Sequence, residues 1–173
     1  MKVRSTTFII HDQTASTRTA ALFTLFDYHT TFLPKVIDGI SEADMFNRLG
    51  TQANHPAWLA GSLVHQRFWM TSETGSGQKQ TSEELFKNNK GIQEDVKYPT
   101  IAEYLTDWQK ITPEARQALL IITDEKLDSE LDMGGMNMTW YEMMCFTIYR
   151  EASIIGQLAL WRRLLGYAAL KYD

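Results

Sequence analysis

Along most of this chain, apolar residues return every three or four positions, the period of a helix that buries one face. The alternating valine- and threonine-rich runs that mark strands are scarce, so the sequence predicts an all-α fold. The first helix starts near Thr14 or Ser16, either of which can cap it. It carries Leu22, Phe26, Leu33 and Ile37 on one stripe up to Gly39, with a kink or an early end expected near Pro34. Ser41, with Asp44 three residues on, opens a short connecting helix that Gly50 closes. A second long helix begins at Asn54-His55-Pro56 and runs through Trp58, Leu59, Leu63 and Trp69, until the polar stretch from Thr71 to Gln80 stops it.

Residues 73–98, with Gly75, Gly77 and Gly91, read as a long crossover containing at most one helical turn around Ser82 to Phe86. Thr100 and Glu103 make a capping box for a third helix carrying Ile101, Tyr104, Leu105 and Trp108, expected to kink at Pro113 and continue to Ile122. Gly134-Gly135 breaks the chain. The longest helix then runs from Thr139 through Met143, Thr147, Ile154, Leu158, Trp161 and Leu165 to Gly166. Four long helices with a crossover between the second and third pack most economically as a four-helix bundle, and 173 residues suit a single domain spanning 1–173.

The formal net charge is −4, so there is no basic surplus for a run of phosphates and no nucleic-acid partner is expected. A lone cysteine, Cys145, builds neither a disulfide framework nor a cysteine zinc site, which suits the reducing cytoplasm. No stretch approaches the roughly 18 apolar residues of a membrane span, and Phe8-Ile9-Ile10 is too short for a signal-peptide core. The expectation is a cytoplasmic protein without a membrane partner. Phosphate-binding loops, nucleophile elbows and dinucleotide glycine patterns are absent.

Two segments stand out: His55-Pro56-Ala57-Trp58 leading to Gly61-Ser62-Leu63, and Gly156-Gln157 followed by Arg162-Arg163-Leu164-Leu165-Gly166-Tyr167. With the Tyr98-Pro99 helix start, their order and spacing resemble the DinB/YfiT-like superfamily. That resemblance implies a DinB-like four-helix bundle in which three histidines, one in a Gly-His-Leu element and two in a His-x-x-x-His-x-Gly-Gln element, hold nickel, zinc or iron. It also implies, in some relatives, chemistry on low-molecular-weight thiols, and often a homodimer. Here the matching positions are Ser62, Arg150 and Ile154. Isoleucine has no donor atom, serine is a poor neutral ligand and a guanidinium repels a cation, so neither metal nor cofactor is expected at the degenerate site.

The chain has four histidines, His11, His29, His55 and His65, and none after His65. A rebuilt metal site would have to gather His65 with Glu151 and with Asp27 or His29; a metal-dependent thiol transferase or hydrolase using such ligands is the alternative function. Arg150 needs an acid such as Asp27 or Glu103, a reach to solvent, or a small anionic molecule in a pocket where the metal would sit. The expected pocket is walled by Ser62, Arg150 and Ile154, with Trp58, His65, Trp69, Thr147 and Trp161 as neighbours. Trp140 joins the other tryptophans as core or wall, while Met136 and Met138 fill gaps or line a pliable groove. Arg162-Arg163 suits the negative end of the last helix. No catalytic residue is assigned.

Overall fold

The computed structural model describes residues 14–72, 76–132, 135 and 137–172; Phe8-Ile9-Ile10, His11, Gly75, Met133, Gly134 and Met136 lie outside them. Ser16 accepts a hydrogen bond from the Arg18 amide and opens a single 3₁₀ turn that passes into α1 (Ala20–Ile37). α1 continues through Pro34 to Ile37, so it does not end early. Ser41 caps α2 (Glu42–Met45), which stops at Phe46, short of Gly50. α3 (Pro56–Ser72) starts with an unusual cap: His55 Nδ1 accepts from the Trp58 amide at 3.0 Å. Thr100 and Glu103 close the expected box on α4 (Ile101–Ile121), a single helix through Pro113. Thr139 and Glu142 do the same for α6 (Trp140–Leu164), and Gly166, at φ +87°, turns the chain away behind it.

The chain is mainly α-helical, but not all-α. Between α4 and α6 lie a short helix α5 (Asp124–Asp128) and an antiparallel hairpin of β1 (Glu130–Asp132) and β2 (Asn137–Thr139), with Leu131 opposite Met138. Strands of three residues are too short to show an alternation. The crossover holds two 3₁₀ turns, Glu83–Leu85 and Lys87–Asn89, where one was expected. Its buried Leu85 and Phe86, and the bond from the Thr81 amide to Asp107 of α4 (2.7 Å), fasten it to the helices. Among the described residues, no helix is long and apolar enough to cross a membrane.

α3 packs on α4 and α6, and α1 packs on α6 and α4. One cluster of buried side chains includes Leu33, Leu63, Trp108, Ile154 and Trp161; a second includes Phe26, Met70, Leu119, Trp140 and Met144. Arg67 of α3 touches both, its guanidinium carbon 3.5 Å from the Trp108 ring centre and 3.8 Å from that of Phe26. The side chain is fully buried. Its Nε and Nη2 donate to the two oxygens of Glu151 on α6 (2.8 and 3.1 Å), its Nη1 to the hydroxyls of Thr30 and Thr112 (2.9 and 2.8 Å), and Nη2 also to the Phe26 carbonyl (3.4 Å). All five guanidinium donors are thereby placed, on groups from α1, α4 and α6. His29 Nδ1 donates to Glu151 at 3.1 Å. Burial alone would raise the Glu151 carboxyl, but the Arg67 charge and the bonds from His29 and Arg67 outweigh it and hold the carboxyl below its ordinary value.

Removing one partner of such a pair strands the other charge in the core. Glu151→Ala is expected to lower unfolding stability by about 3–5 kcal/mol in chemical denaturation; a loss under about 1 kcal/mol would show that the pair is not what ties the helices together. The His55 cap makes a second, pH-dependent prediction. Burial holds the His55 imidazole below its ordinary value of 6.5, so the unfolded chain takes up a proton that the folded chain refuses. Stability is therefore full above that value and falls as the pH drops through it toward the folded-state value. His65 is lowered in the same way. The Tm difference between about pH 7.5 and about pH 5.5 should shrink, without vanishing, in His55→Asn, which keeps a capping acceptor but cannot titrate.

Candidate functional site

The cap at His55 sets the direction in which α3 leaves the loop, and one face of that helix, Trp58, Ser62, His65, Gln66 and Trp69, forms a wall of a cleft of about 410 Å³. Met143, Phe146, Thr147 and Arg150 of α6 form the opposite side, and Phe86, Asn88, Asn89 and Lys90 of the crossover close the rim. Gly61 makes the crossover's approach feasible. A β-carbon there would lie 2.7 Å from the Tyr104 hydroxyl and would overlap Phe86, so only glycine lets α4 and the crossover come this close to α3. The Tyr104 hydroxyl is buried without a hydrogen-bond partner among the described residues, and burial pushes it well above the ordinary tyrosine value.

Arg150 reaches from α6 to α3. Its Nη2 donates to Ser62 Oγ at 2.6 Å, and its Nη1 to Gln66 Oε1 at 2.8 Å and to the Ser62 carbonyl at 3.4 Å. Gln66 passes the connection back to α6 by donating to the Thr147 carbonyl at 2.8 Å. Burial pulls the guanidinium below its ordinary value, and Glu151 next in sequence opposes that shift. Neither acid expected for Arg150 is its partner. Asp27 takes both ends of Arg116, at 3.0 and 3.2 Å, and Glu103 is held by the Thr100 cap. Every partner of Arg150 among the described residues is neutral, and its Nε–H and one Nη2–H have no acceptor among those residues. In the core, Arg67 uses the same Nε–Nη2 edge to hold Glu151.

Of the three positions that match the expected metal triad, Ser62 and Arg150 are in contact. Ile154 is not with them: it is buried in the first apolar cluster, as is Trp161, and neither lines the cleft. Trp58, His65, Trp69 and Thr147 do line it. Trp140 stacks on Trp69 at 5.9 Å. The rebuilt metal set does not form, because Glu151 is committed to Arg67 and His29, Asp27 to Arg116, and His65 to Gln80. Among the described residues, no three His, Cys, Asp or Glu side chains are grouped to hold a metal ion. A guanidinium resting on the serine does not fit a divalent cation either. Arg162 binds carbonyls of Val36 and Asp38 behind α1, and Cys145 is half-buried against the second cluster.

Reading the sequence missed Arg67, Gln66 and the whole crossover side of the cleft. Arg67 carried a usable signal, since it continues the buried stripe of Leu59 and Leu63 at steps of four. No protein-family model matches this chain, and no curated protein matches it significantly. Gly61→Ala is expected to cost about 1–3 kcal/mol of stability through overpacking, read as a fall in Tm. It should also quench or shift the fluorescence of Trp58, because Phe86 has to move within the cleft; an unchanged Tm would refute the close approach.

Proposed function

We propose that this protein is a cytoplasmic, DinB-like four-helix bundle that binds a small organic anion in the cleft between α3 and α6, with Arg150 as the anchor. The observation that carries this reading is the open Nε–Nη2 edge of Arg150, half-buried in a cleft whose lining, among the described residues, includes no Asp or Glu. A carboxylate or phosphate group accepts from that edge with two parallel hydrogen bonds. Lys90 at the rim adds a second positive charge. Trp58, Trp69, Phe86, Met143 and Phe146 supply apolar surface for the ligand's body.

The DinB-like assignment rests on the order of the sequence elements, supported by four long helices, a crossover between α3 and α4, and the spatial pairing of Ser62 with Arg150. It assigns no reaction. An aryl carboxylate such as 3-phenylpropionate is expected to raise the Tm of the wild-type protein in a concentration-dependent manner, and Arg150→Gln to abolish the rise. Neutral 3-phenylpropionamide should have no effect. If the acid stabilises Arg150→Gln as strongly as wild type, the anchor is wrong.

A further inference from the structure

His65 sits one helical turn beyond Ser62, in the same cleft wall, and the protein fixes which of its nitrogens carries the proton. The side chain of Gln80, buried where the crossover begins, makes two bonds: Nε2 donates to the Gly61 carbonyl at 2.9 Å, and Oε1 faces His65 Nδ1 at 3.1 Å. A backbone carbonyl only accepts, so the amide nitrogen must be the end that meets Gly61. The amide oxygen then faces the imidazole, and since it too only accepts, the proton must be on Nδ1. Burial, and to a lesser extent the Arg150 charge, favour the neutral ring, while Gln80 and the more distant Glu83 oppose this. The result is a lone pair on Nε2 without a partner among the described residues, on a ring held against Phe86 at 6.2 Å.

We infer that the cleft selects an acid carrying a second, proton-donating group, a hydroxyl or an N–H, which His65 Nε2 receives while the anionic group lies on Arg150. This rests on the anion reading of Arg150 given above. The two protein groups have opposite needs. Arg150 offers only donors, and a neutral His65 with Nδ1 committed offers only an acceptor. Three residues along α3 correspond to a rise of about 4.5 Å, so the ligand's two groups lie a few bonds apart, as in a 2-hydroxy acid or an N-acyl amino acid. An acid without that second group covers the lone pair without pairing it, and so binds less well. Gln80 acts here as a positioning residue, selecting the tautomer without touching the ligand.

The test compares 3-phenyllactate with 3-phenylpropionate, which differ by one hydroxyl, by calorimetry on wild type, His65→Phe and Gln80→Leu. The expected result is about 5-fold tighter binding of the hydroxy acid by wild type, with the ratio of the two affinities falling toward one in both variants. Nitrogen-15 spectra of the wild-type imidazoles provide a readout that needs no ligand: His65 should show a protonated Nδ1 and a bare Nε2 near neutral pH. A proton on Nε2, or equal affinity for the two acids in wild type, overturns the role of His65 while leaving Arg150 as anchor. If neither acid binds in an Arg150-dependent way, the anion reading fails and this inference fails with it.

Discussion

The structure depends on one charged side chain being tolerable where no water reaches. An arginine in a helical core is costly unless every donor is met, and Arg67 meets all of them from three other helices. That requirement does more than offset desolvation. Apolar side chains can slide past one another at modest cost, but five directed bonds fix how far α3 is rotated and displaced against α1, α4 and α6. Glu151 is drawn into the core for the same reason, and Arg150, the preceding residue, is thereby swung about 100° away and into the cleft. The core pair thus places the cleft's cation.

Arg67 and Arg150 form a comparison inside one molecule. Both come from facing sides of α3 and α6, and both bond hydroxyl groups of threonine or serine. They differ in what meets the guanidinium: Arg67 has the Glu151 carboxylate along its Nε–Nη2 edge, whereas Arg150 has Ser62 Oγ on Nη2 and, among the described residues, nothing on Nε. Burial differs accordingly: the satisfied arginine is sealed in, whereas the other opens on a cleft. Asp27 and Glu103, the acids the sequence offered to Arg150, serve other bonds, to Arg116 and to the Thr100 cap.

Helix boundaries could be read from the sequence because their causes are local. Ser41, Thr100 and Thr139 each stand before an apolar stripe, and each caps a helix as its side chain dictates. The hairpin was hidden because its strands are three residues long, too short to show an alternation. The cleft was half readable. Its α3 and α6 residues follow from helical periodicity, which puts Trp58, Ser62 and His65 on one face. The crossover side does not, since Phe86 and Lys90 arrive there through Gln80, Asp107 and the space left by Gly61, and no local pattern encodes such a non-local fit. Charge on a buried phase was the overlooked signal. Arg67 and Glu151 interrupt two apolar stripes in register, as partners would.

The sign of the cleft follows from the same economy. Acids outnumber bases in the whole chain, 21 to 17, yet no acid among the described residues lines the cleft, and the one adjacent to Arg150 in sequence has its charge countered by Arg67. Positive potential therefore remains where Arg150 and Lys90 stand, and the walls of Trp58, Trp69, Phe86 and Phe146 keep it from being screened as it would be in open water. A guanidinium supplies directed hydrogen bonds and accepts no lone pair, so a cleft built around one is suited to recognising an acid by shape and hydrogen-bond direction.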